Sequence, residues 1–151
     1  MNHDRWLDVV VANDGPDQVA ILRNLRAGPG GWNGLDVNLG AEDTFPVAAS
    51  PKYVVAADLT GDGFPDAVTT HNTTYISVLV NDRDGGLTGP VQFTAGYKAD
   101  QLETGLLNGD GLPDLAVPCW GSSALWVLLN GTAPQPAPTS TTAACPTSAS
   151  T

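Results

Sequence analysis

Nine residues constrain this chain more than any others: Asp58-Leu59-Thr60-Gly61-Asp62-Gly63-Phe64-Pro65-Asp66. Oxygen-bearing side chains stand at the first, third, fifth and ninth positions, and glycines fall where the backbone must turn. Alternate side chains of a tight loop can point inward together, and the Phe64 carbonyl can add a main-chain oxygen. Such a set suits calcium, which takes six to eight oxygens at about 2.3–2.6 Å in flexible geometry. A metal-free Asp/Gly turn is the alternative, because both residues favour turns on their own account.

The flanks distinguish this loop from an EF-hand, which needs a bidentate Glu at its twelfth position and helices on both sides. The twelfth residue is Thr69. Tyr53-Val54-Val55-Ala56-Ala57 precedes the loop and Ala67-Val68-Thr69-Thr70 follows it. Both read as strands, and Pro65 opposes a helix through the loop.

The loop recurs. Asn108-Gly109-Asp110-Gly111-Leu112-Pro113-Asp114 repeats its second part closely, and Asn2-His3-Asp4-Arg5-Trp6-Leu7-Asp8 repeats it loosely. After each copy come an apolar stretch and then an apolar run ending in Asn24, Asn81 or Asn130. A period of roughly 50 residues with several strands per unit indicates a propeller or array. In the middle unit the pattern predicts strands at about 52–57, 66–70, 75–80 and 90–95. Residues 41–50 read as an insertion between the first and middle units. The first unit lacks an innermost strand and the last stops after Asn130 without an outermost one. Three partial blades cannot close a ring, since propellers use about four to eight. This favours a fragment of a longer protein, the alternatives being copies that assemble into one propeller or an open array of blades.

At this point the sequence resembles the FG-GAP/VCBS repeats of integrin-α-like β-propellers. The Asp-Leu-Thr-Gly-Asp-Gly-Phe-Pro-Asp loop, the strand after it, Val78-Leu79-Val80-Asn81 and Gly86-Leu87 carry the likeness over about residues 2–131. The resemblance implies an all-β fold of three blades, one complete and two partial, with calcium in the loop between a blade's first two strands. The expected organisation is a repeat segment at 1–132, with units at about 1–40, 51–96 and 99–131. The family's ligand positions correspond to Asp58, Thr60, Asp62, Phe64 (carbonyl) and Asp66. In the last unit they correspond to Asn108, Asp110, Leu112 (carbonyl) and Asp114, and in the first to Asn2, Asp4, Trp6 (carbonyl) and Asp8. The counterpart of Asp58 is Leu106 in the last unit and would precede Met1 in the first. Fewer charged ligands mean weaker calcium binding.

Composition bears on partners. Sixteen acids against six bases give a net charge of −10, which opposes nucleic-acid binding. No apolar run reaches the roughly 18–20 residues of a membrane helix, and no signal peptide is visible. The expected setting is extracellular or cell-surface, with a protein or glycan partner and scope for self-association. Residues 133–151 are rich in Pro, Ser, Thr and Ala and read as an extended or disordered tail. Cys119 and Cys145 permit one disulfide, and a buried free Cys119 is equally ordinary. Asn72-Thr73-Thr74 and Asn130-Gly131-Thr132 match glycosylation sequons.

No catalytic constellation emerges, and the chain reads as noncatalytic. His3 and His71 form no zinc-spaced pair, and His71 reads as an exposed turn residue. The carboxylates belong to the loops. Trp6 and Trp32 match apolar positions elsewhere in the repeat. Trp120 is the best aromatic for a sugar contact, with burial between blades the preferred reading. A carbohydrate-binding module and an accessory region of a secreted enzyme remain the alternatives to a recognition or adhesion segment.

Overall fold

The computed structural model describes residues 1–25, 39–131 and 140–141. These form three antiparallel sheets in chain order. The first contains β1 (Val9–Asn13), β2 (Gln18–Asn24) and β3 (Leu39–Pro46). The middle one runs β4 (Pro51–Ala57), β5 (Asp66–His71), β6 (Tyr75–Asn81) and β7 (Leu87–Thr94). The last has β8 (Glu103–Gly105), β9 (Asp114–Cys119), β10 (Ala124–Leu128) and β11 (Ser140–Thr141). A single 3-10 turn, Trp120–Ser122, links β9 to β10.

Within each sheet, neighbouring strands are neighbours in sequence. The registers Val10↔Ile21, Val68↔Val78 and Ala116↔Val127 occupy equivalent places in the three units. The sheets stack through alternate residues, as the period-two pleat requires. From the middle sheet, Ala67, Leu79 and Leu87 meet Val19 and Ile21 of the first. Val68 and Ile76 of the same sheet point the other way, onto Leu115, Val117 and Cys119 of the last. The middle sheet is thus covered on both faces, and every residue of β5 is buried.

Four expectations need correction. Residues 41–50 are not an insertion: Leu39–Pro46 is the third strand of the first sheet, paired through Val19↔Phe45 and Ile21↔Asp43. Its exposed face carries Glu42, which hides the strand from an apolar pattern. The last sheet does not lack a fourth strand, because Leu125↔Thr141 and Trp126↔Ser140 pair β10 with β11. His71 is not an exposed turn residue. It ends β5 fully buried, with Nε2 2.8 Å from the Ser77 hydroxyl. Trp120 does not fill a gap between sheets, being 61% exposed. Cys119 is buried. Cys145, Trp32 and nearly all of the expected disordered tail lie outside the described residues.

Candidate functional site

The three loops lie at one edge of their sheets, each feeding the strand after it: β1, β5 and β9. Their backbones match. Gly61 and Gly63 take φ of +72° and +89°, and Gly109 and Gly111 take +80° and +89°. The first loop has no glycine there, yet His3 and Arg5 adopt +59° and +75°. A non-glycine residue rarely enters this region. The repeat therefore enforces one loop shape against local preference.

The last carboxylate of each loop acts as a staple. Asp66 is buried, and its Oδ2 accepts from the N–H groups of Leu59 (3.0 Å) and Thr60 (3.2 Å). Its Oδ1 accepts from Asn81 N–H at 2.8 Å, fastening the loop to the end of β6. Asp114 repeats this with Leu107, Asn108 and Asn130, the last at 2.7 Å. Asp8 accepts from Asn24 N–H at 2.9 Å, and the Met1 ammonium takes the place of the Leu59 donor. Burial pushes the Asp66 carboxyl above its usual range, opposed by its three N–H donors.

The inner carboxylates shape the turn. Asp58 accepts from Asp62 N–H (3.1 Å) and Gly63 N–H (2.8 Å). Asp62 accepts from Phe64 N–H at 2.9 Å and pairs with Arg83 Nε at 2.9 Å. The Phe64 bond first, then Arg83, holds the Asp62 carboxyl below its usual range. Asp110 and Asp4 accept equivalent bonds from Leu112 and Trp6, each at 2.9 Å. The Trp6 N–H holds Asp4 low in the same way. Asn108 and Asn2 each donate to the neighbouring Asp, at 2.8 and 3.0 Å.

Among the described residues, no three His, Cys, Asp or Glu side chains converge as an ion would require. Asp58, Thr60, Asp62 and Phe64 nevertheless offer only oxygen, the donor type of a hard cation. A carboxylate oxygen that accepts one N–H retains capacity for another partner. In donor chemistry the middle loop fits calcium; in this conformation its carboxylates are turned to internal donors.

Two contributors were not assigned from sequence. One is Arg83, which reaches Asp62 from the turn after β6. The other is the asparagine ending the third strand of a unit. Asn81 Nδ2 donates to the Met1 carbonyl at 3.1 Å and to Pro65 at 2.9 Å. Asn130 Nδ2 donates to the Leu59 carbonyl at 2.7 Å. Met1 and Leu59 are equivalent repeat positions, so this clasp between successive units occurs twice. The recurrence of Asn at the strand end was its signal. Because the Asn130 amide is engaged, its sequon offers a poor acceptor, whereas Asn72 is exposed.

The loops and the repeated sheets agree with a family comparison. A model of the FG-GAP-like repeat matches residues 1–69 and again 58–117. The chain belongs to the FG-GAP-like repeat family. No curated protein and no solved structure matches it significantly. The two family matches overlap across the middle loop, at residues 58–69, so each takes in two of the three loops and the strands between them.

Proposed function

We propose that this chain is a noncatalytic β-propeller segment, braced by calcium in its Asp-rich loops, that serves recognition or adhesion outside the cell. The observation that supports it best is one loop shape, built three times from oxygen donors, even where His3 and Arg5 must enter left-handed backbone. Asp58, Thr60, Asp62, the Phe64 carbonyl and Asp66 would hold the ion in the middle unit. Bound calcium would offset clustered negative charge and tie the strands of a unit together. Asn108, Asp110, Leu112 and Asp114 form a weaker set, and Asn2, Asp4, Trp6 and Asp8 one weaker still. The extracellular setting is supported by the family, and no helix of the described residues is long and apolar enough to cross a membrane.

The test is calorimetry with calcium, magnesium and chelator. Calcium should raise the unfolding temperature by a few degrees through linkage to the folded state. Asp62→Ala should remove most of that gain, and Asp43→Ala should not. Leu106 is 64% exposed, so Leu106→Asp adds a carboxylate without burying it and should tighten calcium binding to the last loop. No calcium-dependent shift in the unaltered protein would sink the metal reading.

A sugar-binding reading rests on Trp120 and Tyr97, both exposed and both reached by Lys98. Lys98 Nζ lies 4.5 Å from the Trp120 ring centroid and already occupies one approach to the ring. Glycan binding lost in Trp120→Ala would favour this reading.

A further inference from the structure

The connections between units make the same corner twice, at the sheet edge away from the Asp-rich loops. Val47 N–H donates to the Asp17 carbonyl in the first corner, and Ala95 N–H to the Thr74 carbonyl in the second. Pro51 then pairs with His71, and Ala99 with Cys119. Between these points Ser50 and Lys98 take the same place and the same left-handed backbone, with φ of +56° and +57°. Non-glycine residues rarely enter that region.

The backbone repeats but the side chains do not. Where the first corner has Ala48, Ala49, Ser50 and Asn72, the second has Gly96, Tyr97, Lys98 and Trp120. Tyr97 is 47% exposed and Trp120 61%, so neither ring is used up in the core. The exposure of Trp120 belongs to its place in the unit. Asn72, its counterpart in the sheet covered on both faces, is exposed as well.

Two close approaches fix the rings. A side chain on Gly96 would start 2.5 Å from Trp126 Nε1 and 2.7 Å from Ser122 Oγ, and one on Gly121 would start 2.8 Å from Tyr97. Residues 96–98 therefore lie directly on the 3-10 turn that carries Trp120. Lys98 N–H donates to the Thr73 carbonyl at 3.1 Å and ties them to the middle sheet. Lys98 Nζ stands 5.3 Å from the Tyr97 ring centroid and 4.5 Å from that of Trp120. Both lie within the ~6 Å of cation–π attraction. Among the described residues Arg23, Lys52 and Arg83 each pair with a carboxylate, and Lys98 pairs with none.

We propose that this corner binds an acidic saccharide, a sugar ring bearing a carboxylate or a sulfate. The inference rests on the sugar-binding reading of Trp120, names its ligand class and is independent of calcium. The face of an aromatic ring is negative and attracts the polarised C–H bonds of a sugar ring. The ammonium beside the two rings supplies a charge that a neutral sugar would leave unanswered. An anionic group on the sugar answers it with a charge-assisted hydrogen bond, roughly twice as strong as a neutral one. A protein partner would need about 800 Å² of surface, far more than two half-exposed rings and a lysine provide.

A glycan array bearing uronic-acid, sulfated and neutral saccharides tests this with the full chain. Uronic-acid or sulfated saccharides should retain the chain about tenfold more strongly than their neutral counterparts, the worth of one charged hydrogen bond. The two acidic sets identify the anion. Trp120→Ala should abolish retention on all of them. Lys98→Gln should erase the preference for acid, and Lys98→Arg should keep it. Asn72→Ala, at the matching place in the middle unit, should change nothing. Far-ultraviolet circular dichroism confirms that each variant is folded. Equal retention by neutral and acidic saccharides would overturn the acidic ligand and leave the sugar reading standing. No retention of the folded chain by any saccharide would overturn both. Acidic retention that survives Trp120→Ala would overturn the site.

Discussion

Asp66 should be the costliest carboxylate of its loop to remove. Its two buried oxygens hold the N–H groups of Leu59, Thr60 and Asn81, the last of them in the core. Asp66→Ala leaves those donors without their acceptor, and buried polar groups so stranded cost about 1–3 kcal/mol each. A loss of about 3 kcal/mol or more is expected in urea denaturation with chelator present. Asp58→Ala, at a half-buried position, should cost less. Equal costs would show that Asp66 is not the staple. From sequence, Asp66 and Asp58 were alike as ligands, because spacing reports oxygens and not which of them the backbone claims. His71 makes the same point. Its place at the end of a strand pattern reads as a turn, yet β5 continues through it into the core. Burial pushes its imidazole below the usual range, while the Ala49 and Ala48 carbonyls and Asp17 act oppositely. The folded state therefore prefers neutral His71, and the unfolded chain binds the extra proton below about pH 6.5. Its contribution is present above that pH and lost as pH falls towards the folded value. His71→Gln should flatten this part of the stability profile, measured by thermal unfolding between pH 5 and 7.5. An unchanged slope would exclude His71 as the source.

At the scale of elements, the middle sheet was legible because its strands alternate and are bounded by loops of known chemistry. Observed boundaries fall within about three residues of those expected, and the Asp/Gly loop lies between β4 and β5 as anticipated. Strands β3 and β11 were not legible for a shared reason. Both are outer strands, and Glu42-Asp43 and Ser140-Thr141 carry no apolar signature in the sequence. The asparagine clasp was visible as a recurrence but its role was not, since the partner lies in the preceding unit, 71 residues away for Asn130. Asn130→Ala removes a side-chain bond to the Leu59 carbonyl while sparing the backbone N–H that Asp114 accepts. A loss of about 1 kcal/mol is expected, the net worth of one such bond. Asn72→Ala, at an exposed turn, should be neutral. Denaturant midpoints compare the two, and equal effects would mean the clasp contributes nothing to the junction.

For the whole molecule, stability should decline outward from the middle sheet. Repeat proteins are stabilised approximately by the sum of their units and the interfaces between neighbours. The middle sheet has two such interfaces, with Ala67 and Leu79 on one face and Val68 and Ile76 on the other. The first and last sheets have one each among the described residues, and leave Val9, Val11, Leu125 and Val127 unburied. Local opening takes its free energy from the apolar contacts it breaks, so the end sheets should open below the global limit. Native-state hydrogen exchange is the appropriate measurement. Amides of β5 and β6 should exchange only by global unfolding. Those of β1, β2, β9 and β10 should exchange earlier, as two separate groups. Ile76→Ala should then act asymmetrically, at about 2–5 kcal/mol for a buried Ile. It should loosen the last sheet, which Ile76 packs against, more than the first. Uniform protection across all three sheets, shifted equally by Ile76→Ala, would show one cooperative core in place of neighbour-by-neighbour stacking.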